Sequence, residues 1–197
     1  MKRKITNEVE VGNIRIGGSN PIVIQSMTNT DTSDINATVN QIKELFFAGS
    51  EIVRVTVNDT EALKAIPEIK EKLLSNNINV PIVGDFHFNG HILLNKLEKE
   101  ASYLDKFRIN PGNVGSGKKR DTNFSSIIEV ANKLKKPVWI GVNWGSLDQD
   151  LLQEILDENS KSNSPKSLDT ILCDTVISSA LNSAKYAIDL GMPENKI

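Results

Sequence analysis

Five short runs rich in branched apolar residues recur along the chain, and their spacing limits the fold more than any other feature. The runs are 22–27 (IVIQSM), 52–57 (IVRVTV), 80–86 (VPIVGDF), 107–110 (FRIN) and 138–143 (VWIGVN). Each reads as a buried strand bounded by turn residues. Between them lie segments of helical periodicity. In 34–48, Ile35, Val39, Ile42 and Leu45 share one face, with Ser33 or Asp34 as N-cap and Gly49 as the stop. Further helices are predicted over 60–75, with Pro67 starting its second half, and over 89–100, 123–135, 147–159 and 167–190. A hairpin from Glu8 to Arg15, turning near Gly12 and Asn13, precedes them.

Strands that alternate with helices specify βαβ units and a parallel sheet. From Gln25 to Arg54 is 29 residues, Arg54 to Asp85 31, Asp85 to Arg108 23, and Arg108 to Asn143 35. A (β/α)8 barrel of ~250 residues averages roughly 31 per unit. The reading is therefore a TIM-type (β/α)8 barrel with an N-terminal β-hairpin, truncated after about five βα units plus a helix. A doubly wound open sheet of five strands is the alternative.

The strands end on polar residues: Gln25-Ser26-Met27-Thr28, Arg54-Val55-Thr56, Asp85-Phe86-His87, Arg108-Ile109-Asn110 and Gly141-Val142-Asn143. Strands buried in a parallel sheet read as continuous apolar sequence, and barrel enzymes build their sites at the C-terminal strand ends. Two guanidinium groups, several amides and hydroxyls, one carboxylate and one imidazole suit a small, anionic, oxygen-rich molecule. Of the 23 basic residues only five are arginine, and two of these, Arg54 and Arg108, lie inside apolar runs. The same arginines could instead pair with a carboxylate such as Asp85 inside the barrel.

Other readings are weaker. Residues 112–119, GNVGSGKK, fit G-x-x-x-x-G-K, but Lys119 stands where a P-loop carries the magnesium-binding Ser or Thr, so the segment reads as a basic loop in which Lys118 attracts phosphate. Asp85 and His87 at i, i+2 share a strand face as a metal pair would, yet an orienting role fits them better without further ligands. His91 should face solvent, and Cys173 should be a small core or half-buried residue. A net charge of −2 gives no basic field for nucleic acid. No run of eighteen apolar residues or apolar leader occurs, which points to a cytoplasmic chain off the membrane. One cysteine cannot hold a cysteine-rich metal centre.

Together the segments QSMTNT, EIVRVTV, GDFHF, FRINPGN and IGVNWGSL, in this order, resemble the 4-hydroxy-3-methylbut-2-enyl diphosphate synthase family. The resemblance implies an iron–sulfur oxidoreductase of isoprenoid biosynthesis, acting on 2-C-methyl-D-erythritol 2,4-cyclodiphosphate with electrons from flavodoxin or ferredoxin. It also implies a homodimer, an N-terminal barrel that binds the cyclic diphosphate, and a C-terminal domain holding a 4Fe-4S cluster on cysteines and a glutamate. Residues 1–197 would be the incomplete barrel, inactive alone, with the cluster domain and all cluster ligands outside it. Carried over, Arg54 and Arg108 match diphosphate-binding arginines, Asn110, Asn143, Gln25, Ser26 and Thr28 match pocket positions, and Asp85 and His87 are the catalytic candidates. The family motif R-I-G-V-N here begins with Trp139, which removes one guanidinium unless Lys118 or a residue outside this sequence makes up for it. Two further readings are a non-catalytic phosphate-ligand-binding or assembly module, and another phosphate-binding barrel enzyme of the pterin-dependent synthase kind.

Overall fold

Residues 52–57 show how this sequence builds its sheet. Val53, Val55 and Val57 are fully buried, while Arg54 and Thr56 between them point to the opposite face and are half-buried. The computed structural model describes residues 4–115 and 117–197. In it β3 (Gln25–Met27), β4 (Ile52–Val57), β5 (Ile82–Phe86), β6 (Lys106–Ile109) and β7 (Val138–Ile140) form one sheet, each paired in parallel with the next. Spatial order follows chain order with no reversal. A doubly wound sheet reverses at a switch point, so this arrangement is the arc of an α/β barrel.

The helices are α1 (Ile35–Phe47), α2 (Thr60–Ser75), α3 (Gly90–Lys96), α4 (Glu98–Ala101), α5 (Gly117–Lys133), α6 (Gln149–Ser160) and α7 (Leu168–Asp189). Short 3-10 turns occupy Pro111–Asn113, Trp144–Ser146 and Glu194–Lys196. The outer sheet face packs Val53, Val55, Ile82, Phe86, Phe107 and Ile109 against Leu63, Ile66, Ile69, Ile127 and Ala131 of α2 and α5. Burying one such side chain stabilises the fold by roughly 1.5–3 kcal/mol before its entropy cost. Phe86 and Phe107 meet edge to face, ring centroids 5.4 Å apart.

A hairpin of β1 (Glu8–Val11) and β2 (Ile14–Gly17) closes the N-terminal end of the arc, with Val11, Ile52 and Val83 forming a separate cluster beneath the interior. Its turn uses Gly12 at φ +59°, and a Cβ there would stand 3.0 Å from Pro81 Cγ. Helix starts follow the capping signals: Asp34 accepts from Ala37 N–H at 3.0 Å, Asp59 from Ala62 N–H at 2.9 Å, and Asp148 from Asp150 and Leu151 N–H. Gly49, at φ +103°, terminates α1 as predicted.

Several boundaries differ from the sequence reading. Pro67 sits within one continuous helix, because Ile66, Ile69 and Leu73 bury the same face against the sheet and outweigh the one lost backbone bond. Residues 89–100 break at Leu97, whose φ of −126° is not helical. Helix α5 begins at Gly117, so the glycine-rich stretch is a 3-10 turn running into a helix rather than a loop through Lys119. Among the described residues, no helix is long and apolar enough to cross a membrane.

Candidate functional site

The inner sheet face carries the polar residues in two register layers. Arg54, Val83 and Lys106 pair across the strands in one layer, and Thr56, Asp85, Arg108 and Trp139 in the next, nearer the C-terminal ends. Asp85 lies at the centre, 3% exposed. Its Oδ1 accepts from Arg108 Nη1 at 2.9 Å, its Oδ2 lies 3.5 Å from Arg54 Nε, and His87 Nε2 is 3.9 Å from Oδ1. Both arginines thus face Asp85, the pairing the sequence left open. One carboxylate cannot neutralise two guanidinium groups, and positive charge remains in excess.

Other partners fix the guanidinium groups. Arg54 donates from Nε and Nη2 to the Met27 sulfur at 3.1 and 3.0 Å, and its Cζ lies 5.2 Å from the centroid of the Trp139 ring. Arg108 Nη2 donates to the Gly141 carbonyl at 3.3 Å. Arg108 Nε and the Thr28 hydroxyl are buried without a hydrogen-bond partner. A buried donor left unsatisfied costs ~1–3 kcal/mol, which a ligand oxygen can recover.

Asn110, 1% exposed, accepts from Gly112 N–H and donates to Ser146 Oγ at 2.6 Å; Ser146 in turn donates to Asn143 Oδ1 at 3.1 Å. This chain ties the loop after β6 to the loop after β7. A Cβ on Gly112 would fall 1.8 Å from the Ser146 carbonyl oxygen, so only glycine permits that approach.

The structure brings together Arg54, Asp85, His87, Arg108 and Trp139, with Thr28, Asn110 and Asn143 around the mouth. It does not bring Ser26 there: that hydroxyl meets Ser50 Oγ at 2.5 Å on the outer face, since Ser26 and Met27 alternate across the sheet. Gln25 pairs with Ile52, one layer below Met27 and Arg54, and lines an apolar cavity of about 670 Å³ with Trp139, Lys106, Ile22 and Leu181. The Lys118 side chain lies outside the described residues. His91 is half-buried rather than solvent-facing, and burial, with Lys119 nearby, pulls its pKa down. Cys173 is exposed on α7 rather than packed. That lone thiol offers no thiolate set for an iron–sulfur cluster, and the described residues show no grouping of three metal-binding side chains.

Sequence reasoning missed Met27 as the partner of Arg54, and Lys106 entirely. Lys106 lies two residues before Arg108 on the same strand face, but the apolar run begins only at Phe107, while the strand begins at Lys106. Buried beside the Trp139 ring, its Nζ lies 5.3 Å from the centroid. Burial, with Arg54 adding repulsion, brings its pKa down to about 8. A second cavity of about 390 Å³, between α5, α6 and α7, is lined by Asp121, Asp148, Asp150 and Glu154, with Arg120 paired to Asp148 and Asp121. Its acidic wall does not suit an anion.

Fold and geometry define a class first: an α/β-barrel protein whose interior gathers two arginines around one buried carboxylate, with a buried lysine one layer below it. The model of the GcpE TIM-barrel domain matches residues 6–197, and the chain belongs to that family, whose enzymes act in isoprenoid biosynthesis. Among solved structures it is similar to the Xanthomonas albilineans dihydropteroate synthase in complex with indole-2-carboxylic acid and 6-chloroguanine, with a TM-score of 0.55 and 12% identity. The match covers 97% of this chain, which spans 63% of that one. At that identity the likeness supports the barrel fold and not pterin chemistry.

Proposed function

We propose that this chain is the substrate-gripping barrel of a 4-hydroxy-3-methylbut-2-enyl diphosphate synthase, and that its inner face binds the diphosphate of 2-C-methyl-D-erythritol 2,4-cyclodiphosphate. The observation that carries the reading is the convergence of Arg54 and Arg108 on Asp85. A buried carboxylate holds both forks at the mouth, and an incoming dianion finds them oriented, with Arg108 Nε and the Thr28 hydroxyl still unpartnered. The Asn110–Ser146–Asn143 chain lends amide donors at the rim. Family membership supports the substrate class.

In this reading the chain binds and orients the ligand. Asp85 positions the arginines, and His87 beside it is the candidate for proton transfer to the opening ring. The complete reaction is a two-electron reductive ring opening with loss of water. Its 4Fe-4S cluster, its flavodoxin or ferredoxin donor and the homodimer belong to the wider protein, and the described residues contain no cluster ligand set.

The test is turnover of a longer form that carries this region together with a cluster domain. Arg54→Ala and Arg108→Ala should each lower kcat/KM by ~100-fold, the scale of one lost charge-assisted contact in a dry site. Unchanged kinetics in both variants would overturn the assignment.

A further inference from the structure

Lys106 is a buried lysine without a carboxylate. Among the described residues its ammonium has no acidic group within 4 Å, and its close neighbour is the face of Trp139. The same ring holds Arg54, with Cζ at 5.2 Å against 5.3 Å for Lys106 Nζ, so one indole carries two cations of a single strand layer. Buried lysines are ordinarily paired, because an isolated ammonium out of water is costly. Among the described residues, Arg54, Arg108 and Lys106 share the inner face with one ion-paired carboxylate, Asp85, which leaves positive charge in excess there.

We propose that Lys106 is a third cation of the ligand site, held ready by Trp139 beside Arg54, and that it takes one charge of a doubly anionic ligand. The proposal rests on the reading of this face as a diphosphate site and adds a residue to it. Lysine suits the place: it is a compact charge on a flexible stem, able to rise from the ring toward a phosphoryl oxygen, and it sits one layer below the planar fork of Arg108. The cavity beside it, lined by Trp139, Ile140, Leu181 and Ala184 among others, carries no acidic side chain to compete with an anion. The lowered pKa fits the same picture, since an approaching dianion would restore the proton that burial loosens.

The experiment is titration calorimetry of the full chain with 2-C-methyl-D-erythritol 2,4-cyclodiphosphate at several pH values. Each phosphorus of that ring carries one ionised oxygen and no titrating group between pH 7 and 9, so any change in affinity reports on the protein. The charged and titratable groups near Lys106 are Arg54 from β4, Asp85 and His87 from β5 and Arg108 on its own strand. The side chains that line the same cavity from β7, α7 and the hairpin, Trp139, Leu181 and Val9 among them, do not titrate. We expect Lys106→Met to weaken binding by about tenfold or more and Lys106→Arg to stay within about threefold of wild type. Wild-type affinity should fall about tenfold from pH 7 to 9, a loss absent in Lys106→Arg, whose guanidinium keeps its charge. Equal affinity of Lys106→Met and wild type, while Arg108→Ala binds poorly, would overturn the role of Lys106 alone. So would a wild-type pH profile in Lys106→Arg, which remains decisive if the methionine variant does not fold. No binding by wild type would overturn the diphosphate reading beneath it.

Discussion

Gly141 lies so close to Arg108 that a Cβ on it would stand 2.7 Å from the guanidinium Nε. The backbone just after β7 accepts from the same arginine, through the Gly141 carbonyl and Nη2. The absent side chain therefore sets where the fork lies over Asp85. Gly141→Ala should push Arg108 off the carboxylate and weaken diphosphate binding by about tenfold, the scale of one hydrogen bond to a charged group. Circular dichroism should show an unchanged fold, and calorimetry the loss of affinity.

Asp85 offers the reciprocal test. Asp85→Asn removes the one carboxylate that, among the described residues, faces both arginines, and leaves like charges buried together. Removing one partner of a buried pair costs ~3–5 kcal/mol, which urea unfolding should resolve. Cyclodiphosphate should restore more thermal stability to this variant than to wild type, because it replaces the missing negative charge. Equal shifts in the two proteins would count against a shared anion site.

Lys106 makes stability depend on pH. Its folded pKa of about 8 lies below the ordinary 10.5, so the folded state releases the proton first. The cost is fully present below pH 8 and is relieved as pH rises toward 10.5, since there the unfolded state binds more protons. A shift of this size corresponds to about 3 kcal/mol. Lys106→Met should be more stable than wild type at pH 7, and the difference between the two should shrink from pH 8 to 10.5. Urea unfolding across that range checks it; a constant difference would contradict it.

Open edges are the remaining liability. Among the described residues, strands β3 and β7 each have one unpaired side, and Ile22, Ile24, Trp139 and Leu181 are exposed at or near them. Unpaired strand edges beside apolar surface promote association. Sedimentation velocity should show concentration-dependent self-association of this chain, reduced by Ile24→Lys. A monomer at every concentration would contradict this.

Much of this architecture was legible in the sequence, for identifiable reasons. The strand cores and the cap at Asp34 follow from periodicity and side-chain chemistry that act locally. The convergence of Arg54 and Arg108 on Asp85 was foreseen as one of two uses of those arginines. What escaped depends on tertiary detail: Pro67 survives within α2 because its neighbours pack on the sheet, and Ser26 turns outward because a three-residue strand fixes its parity. Lys106 escaped through one residue of strand boundary, and Cys173 lies on the exposed side of a helix whose apolar residues are spread around it.

The most direct test of the diphosphate site is a crystal structure of the chain soaked with 2-C-methyl-D-erythritol 2,4-cyclodiphosphate. The account predicts phosphoryl oxygens at about 2.7–2.9 Å from the guanidinium nitrogens of both Arg54 and Arg108, the range of charge-assisted contacts. Ligand density away from both arginines, or none at a concentration that saturates binding in solution, would contradict it.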